Sequence, residues 1–117
     1  METLDDVVKF FEERGYRHHQ PANEYSVALM EMKYTGDGIP HCLTNDAYFV
    51  HVHVYEGRHG LPAGMEFDVG GEYRSATWVR FRVHLRWSEL SSESADAVES
   101  DLRVAWVAIC ERTPRTP

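Results

Sequence analysis

Ala47-Tyr48-Phe49-Val50-His51-Val52-His53-Val54-Tyr55 alternates without a break. Tyr48, Val50, Val52 and Val54 hold one parity, and Phe49, His51, His53 and Tyr55 hold the other. Successive side chains of a β-strand point to opposite faces, so valine at every second position describes a strand buried on one side only. A sheet made of such strands needs cover on its valine side and leaves its histidine side to solvent or to a partner. Histidine and tyrosine suit that wetter side, since each carries an apolar body and a polar tip.

The same pattern recurs over about 77–87, where Val79, Phe81, Val83, Leu85 and Trp87 face inward and Trp78, Arg80, Arg82, His84 and Arg86 face outward. Between these strands, Met65, Phe67 and Val69 alternate with Glu66 and Asp68 ahead of Gly70-Gly71. A two-residue Gly-Gly hairpin would pair Phe67 with Arg74 and carry Arg80 and Arg82 into the core. A bulge or a longer turn near Ser75 must therefore shift the register. Upstream, over about 25–34, Ala28, Met30, Met32 and Tyr34 share one face while Glu31 and Lys33 share the other. Thr35–Pro40 is turn chemistry, and 16–24, with Pro21 and Asn23, reads as a loop.

Helices flank the strands. Thr3 is a good N-cap, Asp5 and Asp6 suit a positive helix start, Leu4, Val7, Val8 and Phe11 form one apolar face, and Gly15 stands where the chain must turn left-handed. A second helix is expected over about 92–111, capped by Ser91 or Ser92, with Ala95, Val98, Leu102, Ala105 and Ile109 at helical spacing. Val104–Cys110 is apolar almost all round, which implies deep burial or a homodimer contact around Trp106. The order α-β-β-β-β-α predicts an α+β fold: an antiparallel sheet of about four strands with the N- and C-terminal helices packed on one face. The 117 residues suffice for a single domain over 1–112, followed by a flexible tail over 113–117.

Twelve Lys plus Arg against nineteen Asp plus Glu give a net charge of −7, which disfavours duplex DNA or an anionic membrane as a whole-body partner. Cys42 and Cys110, 68 positions apart and without a motif, read as isolated thiols in a reducing compartment. The acidic start Met-Glu-Thr-Leu-Asp-Asp lacks the regions of a signal peptide, and no apolar run approaches the roughly 18–20 residues of a membrane span. A cytoplasmic location is the expectation.

His51 and His53 raise the question of chemistry. Two apart on a strand, they project from one face as a His-x-His metal pair would, but a catalytic zinc needs a third protein ligand. Glu56 has the wrong parity, and His41, His59 or His84 would have to converge through tertiary structure. The stretch Tyr48–Arg58 also resembles the active strand of the histidine-triad nucleotide hydrolases, whose pattern is His-φ-His-φ-His. The resemblance implies His51 as the histidine that attacks phosphorus and His53 as the third member. The first triad position is Phe49 here, and the strand lies mid-chain rather than near the end. His41-Cys42 with Asp46 nearby has the residue types of a thiol nucleophile but no legible geometry. There is no Walker loop, dinucleotide-binding glycine fingerprint, zinc-finger spacing or Gly-x-Ser-x-Gly elbow. The expectation is no catalytic residue, no resident metal and no cofactor.

Charge is patterned more clearly than motif. Arg74, Arg80, Arg82 and Arg86 fall within 74–87 without an acid, while Glu89, Glu93, Asp96, Glu99 and Asp101 follow within 89–101. Arginine beside aromatic side chains anchors protein interfaces, phosphates or stacked bases. The competing reading is that Glu31, Glu66 and Asp68 on neighbouring strands neutralise these arginines. The sequence thus predicts a small, acidic, non-enzymatic protein-binding module, of the kind that acts as an inhibitor, immunity or phage anti-defence protein. Its expected binding residues are Trp78, Arg80, Arg82, His84, Arg86, His51 and His53. The alternatives are single-stranded nucleic acid or a phosphate ligand on the basic sheet face, and a histidine-based hydrolase or metalloenzyme using His51 and His53.

Overall fold

The computed structural model describes residues 1–19, 26–39, 42, 47–57, 60, 62–71 and 77–112, and for 77–83 it describes the backbone. The expected tail over 113–117, the turn residues Pro21, Asn23, Arg74 and Ser75, and His41, Asp46 and His59 lie outside the described residues.

Helix α1 spans Leu4–Glu13, and the Thr3 hydroxyl accepts a hydrogen bond from the Asp6 amide at 3.1 Å, satisfying one amide of the first turn. Val7 and Phe11, four apart, are its buried residues, and Gly15 takes the left-handed conformation at φ 99° that ends the helix. Five strands follow in chain order: β1 (Arg17–His18), β2 (Ala28–Thr35), β3 (Ala47–Tyr55), β4 (Gly64–Gly71) and β5 (Thr77–Arg86). Every neighbour in the sheet is a neighbour in sequence, and every pair is antiparallel. A 3₁₀ turn over Trp87–Glu89 leads to α2, Ser92–Arg112. Ser91 caps α2 by accepting from the Ser94 amide at 3.1 Å.

The architecture is the α+β one expected, with one strand more. β1 lies in the stretch whose sequence predicts a loop, because it is two polar, exposed residues, Arg17 and His18, too short to show alternation; it exists because Arg17 pairs with Glu31 and His18 with Met30. The longer connection expected near Ser75 is the one the register shows. Gly71 pairs with Thr77, so five residues intervene where a Gly70-Gly71 hairpin would leave only its two glycines, and this longer connection brings Val69 opposite Val79 and Phe67 opposite Phe81. A second irregularity lies further on: Phe67 pairs with Phe81 but Glu66 with His84, which leaves positions 82 and 83 of β5 without a β4 partner.

Tyr48, Val50, Val52 and Val54 are buried as the alternation requires, together with Met65, Phe67 and Val69 of β4. Each such valine or phenylalanine contributes roughly 1.5–3 kcal/mol by leaving water. α2 covers this face through Ala95, Val98, Leu102, Trp106 and Cys110. Helical spacing in the sequence predicts Ala105 and Ile109 on that stripe; the stripe instead advances by four from Val98 through Leu102 and Trp106 to Cys110, and Ala105 and Ile109 are half-buried beside it. Trp106 is 1% exposed, so its side chain belongs to the core, and the large apolar side chain that α2 turns outward is Val104, at 67%. The Trp106 ring packs against Gly71: a methyl group there would stand 3.1 Å from the ring and 2.5 Å from the Ala47 carbonyl oxygen.

The two helices are tied by charge. The Arg14 guanidinium, at the end of α1, donates to Glu99 at 3.0 and 3.2 Å and to Asp96 at 2.7 Å on α2. Burial opposes its charge, but the hydrogen bonds and charges of Glu99 and Asp96 outweigh that and raise its pKa. Tyr34 donates to Glu99 at 3.4 Å and stacks on Tyr48, which stacks on Trp106. Burial, then the Glu99 charge, raises the Tyr34 phenol to about 12 and also raises that of Tyr16. Both phenols are therefore neutral at ordinary pH.

Candidate functional site on the helix-free face of the sheet

Antiparallel register places directly paired residues on the same face. Starting from Glu31 and His51, one row crosses all five strands: Arg17, Glu31, His51, Asp68 and Arg80. Each member is ionisable. A second row holds Leu29, His53, Glu66 and His84, and a third holds Lys33, Phe49, Gly70 and Trp78. These rows lie opposite the valine side, and among the described residues no helix packs on them.

Several described polar side chains of the face form specific pairs. His51 Nε2–H donates to Glu31 Oε2 at 2.7 Å, and His19, just after β1, has Nδ1 at 3.3 Å from the same oxygen. The His19 and His51 rings lie 4.8 Å apart and 34° from parallel. His53 Nε2–H donates to Asp68 Oδ2 at 2.7 Å, its Nδ1 faces Ser26 Oγ at 3.5 Å, and Tyr55 donates to Glu66 at 3.4 Å. The His51 and His53 side chains are each 13% exposed, well below what an open strand position offers. Desolvation lowers the His51 pKa against the opposing pull of the Glu31 hydrogen bond, so the ring is neutral near pH 7.

The chemistry within reach follows from this geometry. Ser26, His53 and Asp68 are the residue types of a nucleophile, base and orienting acid. Ser26 is only 6% exposed, however, and the neighbouring Val27 amide donates to the Val54 carbonyl at 2.8 Å, so that amide is not open to a substrate oxygen. The three groups fix one another instead. The histidine-triad geometry is likewise not assembled: His51 and His53 are each held by a separate carboxylate, and Phe49 sits in the first position. His19, Glu31 and His51 do converge, with one donor atom from each lying within 4.8 Å of the others. Two imidazoles and one carboxylate are a donor set suited to zinc and related divalent ions. The metal pair suggested by spacing alone, His51 with His53, is not the one brought together. His19 and Glu31 were missed because their convergence depends on β1 and on the β2–β3 register.

Of the other expected binding residues, His84 and Arg86 are exposed at the end of β5. Trp78 and Arg80 occupy helix-free positions by register, Arg82 falls in the β5 irregularity rather than in the regular outward row, and the side chains of all three lie outside the description. Sequence reasoning also passed over Arg17 and Lys33. Both are exposed at the β1–β2 edge, and neither forms an ion pair among the described residues. With Gly15, Glu31 and Met32 they line an open depression of about 330 Å³.

Among the described residues no helix is long and apolar enough to cross a membrane. Comparison with protein-family models, with curated proteins and with solved structures finds no match.

Proposed function

We propose that the chain is a non-enzymatic binding module whose helix-free sheet face docks an acidic surface of another protein. The observation that carries this reading is how charge is distributed on that face. Glu31 and Asp68 are held by His51 and His53, while Arg17 and Lys33 remain exposed without a carboxylate among the described residues. An acidic chain thereby keeps cations available on one face, beside the Phe49 and Trp78 row. Cations flanked by aromatics over a rigid sheet suit a protein hot spot. Three acids in the same rows, Glu31, Glu66 and Asp68, disfavour a continuous track of phosphates. An inhibitor, immunity or anti-defence role fits such a module.

The test is a capture experiment on host lysate with protein and nucleic-acid fractions both kept. Wild type, Lys33→Glu with Arg86→Glu, and Glu93→Lys with Asp101→Lys are run side by side. The expected result is one protein captured by wild type and by the helix variant, and weakened about 30-fold or more by the sheet variant, the scale of a hot spot. Capture unaffected by the sheet variant would sink the reading. Capture of RNA or DNA, falling steeply with salt, would replace it with the nucleic-acid alternative.

The His19–Glu31–His51 cluster favours a second reading, a divalent-cation site at the β1–β2–β3 edge. Zinc titration followed by calorimetry should then show one equivalent bound by wild type and none by His51→Ala. Equal weak binding by both would leave the cluster as a hydrogen-bond network.

A further inference from the structure

Cys42 and Cys110, read from the sequence as isolated thiols, are neighbours in the fold. Their sulfurs stand 2.8 Å apart. That is closer than the roughly 3.5–4.0 Å of an ordinary heavy-atom contact. A disulfide bond of about 2.0 Å is therefore within a small side-chain rotation. The two sulfurs differ in access: Cys110, in the last turn of α2, is fully buried, while Cys42 is half-buried. Cys42 is also held in place. Its amide donates to the Ile39 carbonyl at 3.1 Å, the Ile39 amide donates to Gly36 at 3.0 Å, and the Ile39 side chain is buried in the core.

We propose that Cys42 and Cys110 are a redox modification site that closes to an intramolecular disulfide, fastening the β2–β3 connection to the end of α2. The accessibility difference sets the order of events with a low-molecular-weight disulfide such as glutathione disulfide as oxidant. The Cys42 thiolate attacks one sulfur of the oxidant, forming a mixed disulfide and expelling one glutathione thiolate. The Cys110 thiol then loses its proton and attacks the Cys42 sulfur, forming the Cys42–Cys110 bond and expelling the second glutathione. Two protein thiols are oxidised by two electrons, one glutathione disulfide is reduced to two glutathione thiols, and the two cysteine protons end on them. Once closed, the bond is shielded by the same burial that hides Cys110, so external thiols reach it through Cys42.

The test equilibrates the folded protein with graded ratios of reduced and oxidised glutathione, quenches in acid, alkylates under denaturing conditions and weighs the intact chain. The monomer is expected to lose two hydrogens and both alkylatable thiols. The melting temperature should rise by roughly 10 °C, since the bond closes a long loop. In Cys110→Ser, Cys42 should accumulate one glutathione adduct; in Cys42→Ser, Cys110 should stay unmodified while the protein is folded. A wild-type chain that keeps both thiols at every ratio, or that stops at a glutathione adduct on Cys42, would overturn the proposal. So would a covalent dimer in place of the internal bond.

Discussion

Trp106→Ala is expected to cost about 3–5 kcal/mol, the range for deleting a buried aromatic and leaving a cavity. The expectation is at the upper end because the ring is fully buried, stacks on Tyr48 and packs closely against Gly71. Neither neighbour can move into the space: Gly71 is fixed by its ladder to Tyr48 and Thr77, and Tyr48 is already stacked on Tyr34. Urea unfolding followed by far-ultraviolet circular dichroism measures the loss, and a change under 1 kcal/mol would mean that α2 is not docked as described. Trp106→Glu, which would dissolve a dimer if the ring lay on the surface, should here unfold the chain at any concentration.

The second large effect is expected at Arg14. Arg14→Ala leaves Glu99, whose side chain is 14% exposed, without its cation and beside the neutral phenol of Tyr34. Stranding one member of a buried pair costs roughly 3–5 kcal/mol, and the partial exposure of Arg14 at 22% brings the expectation to about 2–4 kcal/mol. Glu99→Gln alone should cost less, because the amide still accepts from Tyr34. The double variant should lose less than the sum of the singles, by about 1–3 kcal/mol of coupling. Additive losses in the same urea experiment would show that the guanidinium does not clamp the two helices.

What the sequence disclosed depended on the range of the forces involved. The faces of β3 were legible because Tyr48, Val50, Val52 and Val54 need only a period of two. Thr3 and Gly15 were legible because caps are local. β1 was not, since Arg17 and His18 are strand only by virtue of Glu31 and Met30. The break at 82–83 was hidden because Val79, Phe81, Val83 and Leu85 continue an unbroken alternation, so nothing local marks the slip. In α2, a run apolar all round could not say which side faced the sheet; the fit of Trp106 over Gly71 decides that. The same limit governs the candidate site. His51 and His53 stood out by spacing, whereas their partners Glu31, His19, Asp68 and Ser26 come from three other segments. Cys42 and Cys110 lie 68 positions apart and share no signal until the fold joins them.

β5 is the last strand in the described order, so one side of its ten-residue ladder has no neighbour there. An unpaired row of amides and carbonyls that long is a template for other chains to add to, and sheets that stay soluble interrupt it with charge and with bulges. β5 carries both: arginine at 80, 82 and 86, and a break in its pairing at 82–83. The feature that makes the strand irregular therefore also guards the molecule against stacking edge to edge into aggregates. Arg82, which falls in that break, then has a value to the protein whether or not a partner ever touches it.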